Sequence, residues 1–305
     1  MAYEDQLITE ARNPASESID ALDARGIAGL MHAEDLRAVA AVGEVLEAVA
    51  RAIDLAAERF RRGGRLLYFG AGTSGRLGVL DASECPPTFS SPPSMVVGRI
   101  AGGPVALTTA VEGAEDDREA GARDVRELHV GPDDLVVGIA TSGRTPYVLG
   151  ALAEAKSLGA TTVGFACNRP SQLDAVADVM IAPLVGPEVL AGSTRLKAGT
   201  ATKLVLNMIT TGAMVRLGKT YGNRLVDLQP TNEKLRIRTR RILRELAGIE
   251  EPEAASILQR CGGKLKPALV VALAGVEPDR AEALLLEYNG QVRDAVRAVL
   301  GVGPR

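Results

Sequence analysis

The sequence predicts an α/β protein built on a parallel β-sheet that helices cover on both faces. Up to residue 183, short apolar runs alternate with helical stretches, and the runs are residues 66–69, 95–98, 135–140, 161–166 and 179–183. Buried strands that alternate with helices are typical of parallel sheets. A second observation agrees with this, because the same small, hydroxyl-bearing turn follows two of the runs and precedes a helical stretch each time. Right-handed crossovers would place both turns on one edge of the sheet.

Helical periodicity describes most of the remaining chain. Apolar positions recur at helical spacing through residues 33–61, which we predict to be one long helix ended by a glycine pair. Residues 194–217 predict another long helix, and residues 235–246 a basic amphipathic one. Composition shifts near residue 248, and the remainder, close to the lower limit of about 50 residues for an autonomous core, reads as three or four short helices. We therefore predict a main domain over residues 1–247 and a small helical module over residues 248–305.

Composition excludes several classes of function. The 305 residues carry 35 basic and 38 acidic side chains, a net charge of −3, and only 3% are aromatic, so a nucleic-acid or membrane partner is not expected. The three cysteines form no CxxC pair and the two histidines have no ligand-spaced companion, so we expect no metal. The N-terminus has no features of a signal peptide and no apolar run is long enough for a membrane span, so the expected location is the cytoplasm.

The tetrapeptide Thr-Ser-Gly-Arg occurs twice, at residues 73–76 and 141–144. A hydroxyl- and glycine-rich turn before a helix is a place to hold an anion, since the helix start offers free N–H groups and the positive end of its dipole. Two such turns on one sheet edge predict one ligand held from two sides, and a phosphorylated small molecule is the natural candidate. This doubled turn is the one internal repeat that the sequence reveals to us.

A dinucleotide site is a competing interpretation of the first turn. Residues 70–75 fit the pattern G-x-G-x-x-G, but the acidic residue expected about 20 positions later is missing and Arg99 follows the next strand instead. An arginine there is compatible with NADP, so an NADP enzyme stays open as the last-ranked alternative. It gives no reason for the second turn.

Two carboxylates and one helix start complete the candidates. Glu84 precedes a proline pair and Glu115 lies in an acidic stretch after a glycine pair; two carboxylates can share general acid and base work. Residue type alone would not select them among 38 acidic side chains. Ser193 and Lys197 lie where the late helix begins, and either contact a phosphate or sugar or cap that helix.

Several of these segments together resemble a known family. Residues 9–15, 70–88, 100–103, 112–116, 141–147 and 192–200 closely resemble the N-acetylmuramic acid 6-phosphate etherases, sugar-isomerase-type (SIS) domain proteins of peptidoglycan recycling, and the similarity extends from about residue 9 to residue 300. The resemblance implies a doubly wound, five-stranded, flavodoxin-like core, a homodimer, a UBA-like C-terminal module, and no cofactor.

The resemblance also implies a reaction and residue roles. The lactyl ether of the amino sugar is cleaved by a lyase reaction, with Glu84 as the acid for the departing lactate oxygen and Glu115 as the base. Ser74, Ser142 and Thr145 would hold the phosphate and sugar. The rest of the predicted binding site comprises Gly72, Thr73, Gly75, Gly143, Arg144, Ser193 and Lys197.

Two other functions fit the same turns. A phosphosugar isomerase would use a carboxylate base but no acid for lactate. A non-catalytic phosphosugar sensor, like the related regulator of glucokinase, would bind the sugar without cleaving it.

The spacing of Ser74 and Glu84 leads to a further hypothesis, because they lie about 15 Å apart if they share one helix. We therefore hypothesise that Glu84 serves the pocket of a neighbouring subunit.

Overall fold

The computed structural model describes residues 7–228 and 233–301. The chain divides into two compact units, one of residues 1–85 and 92–212 and the other of residues 86–91 and 213–305. The helices are α1 Ala24–Gly43, α2 Leu46–Arg61, α3 Gly72–Phe89, α4 Arg118–Glu127, α5 Pro146–Ser157, α6 Lys197–Arg216, α7 Glu233–Ala247, α8 Glu251–Arg260, α9 Leu265–Ala274, α10 Pro278–Glu287 and α11 Val292–Leu300. The strands are β1 Leu66–Gly70, β2 Val96–Ile100, β3 Leu135–Ile139, β4 Thr161–Phe165, β5 Val179–Ile181, β6 Thr220–Tyr221 and β7 Arg224–Leu225.

The first unit contains a five-stranded parallel sheet in the order β2-β1-β3-β4-β5. Strands β1 and β3 are buried along their whole length, as expected for central strands covered on both faces. The predicted α/β fold with a doubly wound parallel sheet is therefore confirmed. β6 and β7 form a separate two-stranded antiparallel pair in the second unit.

Helices cover both faces of the sheet. Alternate residues of a strand point to opposite faces. On one face Leu67 and Phe69 of β1 share an apolar cluster with Val125 of α4 and Tyr147 of α5. On the other face α3 packs so closely that a Cβ built on Gly78 would lie 3.0 Å from the Cβ of Tyr68. The start of α3 is thereby fixed against the end of β1.

One predicted helix is two helices in the structure. The prediction of a single helix over residues 33–61 is wrong, because α1 ends at Gly43 and α2 begins at Leu46. Glycine is a weak helix former, which favours a break there. The apolar face that we predicted for one helix is buried only in part, since Val39 and Leu46 are about half exposed while Val42 is buried.

The second unit has its own apolar core. Val226, Ile242 and Leu243 are buried in the same cluster as the helices after residue 250. α7 and the segment before it belong to this compact unit and supply part of its core. The domain boundary at residue 248 stays a prediction. The predicted helical module is present, and its UBA-like character stays a prediction.

The second unit also contains an internal repeat that our sequence reading missed. The pairs α8–α9 and α10–α11 are joined by equivalent turns. Gly263 N–H donates to Leu258 O at 2.8 Å, and Gly290 N–H donates to Leu285 O at 2.7 Å. Left-handed φ values recur too, at Gly262 and Gly263 in the first turn, and at Asn289 and Gly290 in the second. Few side chains match between the copies, because asparagine can also adopt this conformation and an apolar core accepts different apolar residues.

Within the part of the chain that the structure describes, the helices are all too short or too polar to cross a membrane.

Candidate functional site

The two Thr-Ser-Gly-Arg turns follow neighbouring strands of the sheet. The first comes after β1 and the second after β3, and Gly70 at the end of β1 is in register with Ile139 at the end of β3. The strand order also reverses between these strands, since β2 lies on one side of β1 and β3 on the other. Open α/β sheets bind ligands at such a switch point, outside the carboxyl ends of the strands. The prediction that both turns lie on one sheet edge is confirmed.

The first turn passes directly into a helix. Gly72 begins α3 with a φ of +53°, which glycine adopts without strain. Thr73 and Ser74 occupy the first helical turn, where N–H groups have no intrahelical acceptor, and the Ser74 side chain is buried. Gly75 permits the close approach of helix and strand, because a Cβ there would lie 2.6 Å from Ile100 Cγ1. The helix start is therefore an anion-binding geometry.

The second turn has a different backbone from the first. Gly143 has a φ of +77°, and a Cβ there would overlap Ser171, whose hydroxyl donates to Gly143 O at 3.1 Å. Arg144 N–H donates to the Ser142 hydroxyl at 3.4 Å, so the turn is held by its own side chain as well. Both Ser142 and Arg144 are half-buried.

A proline explains why the same four residues differ in conformation. α5 begins only at Pro146, with Thr145 at its N-cap position. Proline is well suited to the first position of a helix and unsuited to later ones, so it sets the helix start after the second turn. Each copy thus precedes a helix, as we expected, but the first copy forms the helix start itself and the second copy lies before it.

The start of α6 lies beside the first turn. A Cβ built on Gly199 would lie 3.8 Å from Thr73 Cγ2. Ser193, half-buried, lies just before this helix. The N-terminus of α6 is capped by the buried carboxylate of Glu188, which accepts hydrogen bonds from the N–H groups of Lys197 at 2.9 Å and Ala198 at 3.0 Å. The sequence suggested that Ser193 or Lys197 could cap this helix. In the structure Glu188 caps it, and the sequence analysis did not select this residue.

Lys197 forms a buried ion pair. Its ammonium lies 2.6 Å from the Glu34 carboxylate, and the two side chains are 1% and 2% exposed. Burial by itself raises the pKa of Glu34, but hydrogen bonds from Lys197 and Asn13 outweigh it and hold that pKa below its ordinary value. Lys197 thus holds α6 against α1 through its side chain, whereas the sequence left open a contact with phosphate or sugar and a role in capping this helix.

The arginine of the first turn reaches the loop that carries Glu115. Arg76 Nη2 donates to Ala106 O at 2.7 Å and Arg76 Nε donates to Leu107 O at 2.9 Å. Glu115 lies further along the same loop, exposed, in the short 3₁₀ helix Ala114–Asp116. The loop after β2 is therefore attached to α3, whose first turn contains Ser74. The repeated tetrapeptide, which ends in Arg76, did not indicate that this arginine holds the loop.

Glu84 is exposed near the other end of α3, on a helix anchored by a buried carboxylate. Asp81 accepts hydrogen bonds from Tyr68 Oη at 2.9 Å, Asn207 Nδ2 at 2.7 Å and Thr210 Oγ1 at 3.1 Å. Burial raises the pKa of Asp81 above its ordinary value, and these hydrogen bonds only partly offset that effect. Asp81 joins α3 to both β1 and α6. Sequence reasoning missed it, because its partners lie far away in the chain.

The candidate site thus consists of the first turn, the second turn, the start of α6 and the loop after β2. Glu84 lies nearly three helical turns from Ser74 on α3, about 15 Å at 1.5 Å per residue. Among residues 7–228 and 233–301, no three His, Cys, Asp or Glu side chains are grouped so that they could hold a metal ion.

Family models match the part of the chain that contains this site. The model of the glucokinase regulatory protein N-terminal SIS domain matches residues 48–156, and the model of the SIS domain matches residues 118–212. Among solved structures, a phosphoheptose isomerase from Francisella tularensis aligns with a TM-score of 0.48 and 19% identity over 63% of this chain and 96% of its own.

Relatives match the chain over nearly its whole length. The N-acetylmuramic acid 6-phosphate etherase of Rhodopirellula baltica is 56% identical over 287 residues, which cover 94% of this chain and 95% of its own. The protein of that name from Streptomyces coelicolor is 54% identical over 295 residues, which cover 97% of this chain and 95% of its own.

Proposed function

Since the chain belongs to the N-acetylmuramic acid 6-phosphate etherase family, we propose that it is a carbon–oxygen lyase that cleaves the D-lactyl ether of this sugar phosphate, giving N-acetylglucosamine 6-phosphate and D-lactate. The observation that carries the proposal is the identity of more than half of the residues with such proteins over nearly the full length. The pair of hydroxyl-lined turns at the switch point of the sheet supports it.

Elimination followed by addition of water explains how an unactivated ether can be cleaved without a cofactor. In the open-chain sugar the C3–O bond lies β to the C1 aldehyde. A base removes the proton on C2, and the carbonyl stabilises the carbanion. An acid then protonates the departing lactate oxygen, C3–O breaks, and a C2–C3 double bond conjugated to the aldehyde forms. Water adds to C3 and a proton returns to C2. Two carboxylates suffice for these transfers.

The phosphate and sugar are assigned to the turns. The first helical turn of α3 offers the hydroxyl of Ser74 and the N–H groups of Gly72, Thr73 and Ser74, where a phosphate is favoured by the helix dipole. Ser142 and Thr145 would contact the same ligand from the adjacent strand. The remaining contacts with the ligand are assigned to the backbone of Gly75, Gly143 and Arg144 and to the side chain of Ser193. Lys197 would act indirectly, by fixing the start of α6.

The two carboxylates are assigned to the proton transfers. Glu115 is the proposed base at C2, which is supported by the attachment of its loop to α3 through Arg76. Glu84 is the proposed acid for lactate. Since Glu84 lies nearly three turns after Ser74 on α3, we assign it to the pocket of a second copy in a homodimer.

Release of D-lactate from N-acetylmuramic acid 6-phosphate is the decisive assay. The unmodified protein should release lactate, and Glu84→Gln and Glu115→Gln should each lower kcat by about 10²- to 10⁴-fold, the usual contribution of a positioned acid or base. Glu112→Gln, on the same loop as Glu115, is the matched control and should retain activity.

Other outcomes identify the alternatives. Aldose–ketose interconversion of a phosphosugar without lactate release would indicate an isomerase. Tight phosphosugar binding with no turnover, unaffected by either glutamine variant, would indicate a sensor.

A further inference from the structure

Residues 7–16 form a segment that we call the N-terminal strap. It contains the motif at residues 9–15 that the proposed chemistry does not use, and its regular structure is limited to the 3₁₀ turns Ile8–Glu10 and Pro14–Ser16. Thr9, Asn13 and Ser16 are nevertheless buried, at 0%, 7% and 7% exposure. Buried polar groups are costly unless they are hydrogen-bonded, so their partners indicate what the strap does.

One side of the strap is joined to the second turn through Asn168. This side chain is 2% exposed, and its Nδ2 donates to Thr141 O at 2.9 Å and to the Thr9 hydroxyl at 3.0 Å. In return, Thr9 N–H donates to Asn168 Oδ1 at 3.3 Å. Thr141 is the first residue of the second turn, directly before Ser142. The amide of Asn168 therefore fixes the backbone from which the Ser142 hydroxyl is presented.

The other side of the strap is joined to the segment before α6. Gly192 N–H donates to Thr9 O at 3.1 Å, directly before Ser193. Further along, the Ser16 hydroxyl donates to Val189 O at 2.7 Å and Asn13 Nδ2 donates to Pro187 O at 3.1 Å. Thr9 thus connects Asn168, through its N–H and hydroxyl, with the segment before α6, through its carbonyl.

We infer that Thr9 and Asn168 are positioning residues that set the spacing between the Ser142 turn and Ser193, and thereby the affinity of the site for its phosphorylated sugar. The inference rests on the proposed function. Neither residue takes part in a proton transfer. Loss of either link should therefore weaken binding of the sugar phosphate more than it slows the chemistry.

The test compares two substitutions at Thr9. Thr9→Val keeps the shape and the backbone bonds but removes the hydroxyl that Asn168 needs as an acceptor. It should raise KM for N-acetylmuramic acid 6-phosphate and Kd for N-acetylglucosamine 6-phosphate about tenfold, which equals about 1.4 kcal/mol and lies within the cost of an unpaired buried donor. kcat should change less than threefold, and Thr9→Ser, which restores a hydroxyl, should return KM to within about twofold of the unmodified value.

Thr162→Val is the matched control. Thr162 is also fully buried, its hydroxyl donates to Val176 O at 2.9 Å, and it lies at the amino end of β4, opposite the site. This variant should lower Tm without raising KM. Unchanged KM and Kd in Thr9→Val, or an equal rise in KM in Thr162→Val, would overturn the inference.

A second measurement uses the unmodified protein, in case Thr9→Val does not fold. Adding N-acetylglucosamine 6-phosphate should slow hydrogen exchange in peptides covering residues 7–16 and 190–196 together with the second turn. Protection of the second turn without protection of the strap would contradict the inference. If the unmodified protein releases no lactate, the proposed function fails. The strap is then judged by whether Thr9→Val weakens binding of N-acetylglucosamine 6-phosphate and of inorganic phosphate.

Discussion

Glu34 and Lys197 form an ion pair that is almost fully removed from water, at 2% and 1% exposure. The Coulomb attraction between such charges is set against the loss of their hydration, so the pair is a poor source of net stability. Removing Glu34 is a different matter, because it leaves the Lys197 ammonium buried without its carboxylate. Without Lys197, in contrast, Glu34 still contacts Asn13 at 2.8 Å and Arg37 at 3.2 Å. The sequence distance between the two residues explains why neither could be recognised as the other's partner from the printed chain.

The effects of single substitutions in this pair should not be additive. Glu34→Gln should lower the free energy of unfolding by about 3–5 kcal/mol, because it leaves the buried Lys197 ammonium without its carboxylate. Lys197→Met should cost less, because Asn13 and Arg37 still contact Glu34. The double variant should lose clearly less than the sum, and urea unfolding measures all three. As a control, Arg12→Met breaks the exposed pair with Glu17 and should change stability by less than about 1 kcal/mol. Strict additivity in the double variant would contradict the pairing.

Asp81 should make stability depend on pH in a predictable direction. Because burial raises its folded-state pKa, the folded protein binds this proton more tightly than the unfolded chain does. Its contribution to stability is therefore complete at pH values below the ordinary aspartate pKa, and it declines as pH rises through the raised folded-state pKa. The unfolding free energy of the unmodified protein, minus that of Asp81→Asn, should fall as pH rises through this window. Asp116→Asn, on an exposed loop, is the control, and a difference that rises with pH would refute the assignment.

At the scale of single elements, close contact between strand and helix explains the glycines of the first turn. Gly75 separates α3 from the end of β1, where a Cβ would lie 2.6 Å from Ile100 Cγ1 and 2.7 Å from Gly70 O. The same tetrapeptide after β3 forms a turn and not a helix start, since α5 begins only at Pro146 and Gly143 turns the chain with a left-handed φ. An identical sequence therefore serves two backbone geometries, and the residues that follow it determine which one forms.

Two glycine-to-alanine substitutions should have opposite effects. Gly75→Ala should destabilise the protein by about 1–3 kcal/mol, because the backbone of Gly70 cannot give way, and lactate release should fall with it. Gly29→Ala, in the exposed middle of α1 where a Cβ meets nothing within 4 Å, should stabilise it by about 0.5–1 kcal/mol. Thermal unfolding of both variants measures the contrast, and equal shifts would show that packing at Gly75 is not tight.

At the scale of the whole molecule, the proposed assignment of Glu84 requires a second copy of the chain. Ser74 and Glu84 lie too far apart on α3 to act easily on one sugar. In a mixed dimer of one subunit that lacks Ser74 and one that lacks Glu84, both defects should then fall in the same pocket and leave the other pocket intact.

Mixed subunits test this requirement. Ser74→Ala and Glu84→Ala should each be nearly inactive alone, and refolding them together should restore lactate release, because some heterodimers contain one pocket with both groups intact. About a quarter of the unmodified activity is expected if half of the dimers are mixed and each has one working site of two. Inactive mixtures in which heterodimers are demonstrated would refute the shared pocket, and refolding each variant with itself is the control.

Much of this molecule follows from local pattern. The runs at 66–69 and 135–140 identified the two central strands, and the glycine-bearing turns after them identified the sheet edge that would hold an anion, because strand burial and helix starts depend on neighbouring residues. Contacts between residues that are distant in the chain could not be predicted from local sequence pattern. The pairing of Asp81 with Asn207, of Lys197 with Glu34 and of Thr9 with Asn168 became visible only in the folded chain. Hydrogen bonds and ion pairs depend on which surfaces folding brings together, and no periodicity in the sequence records that.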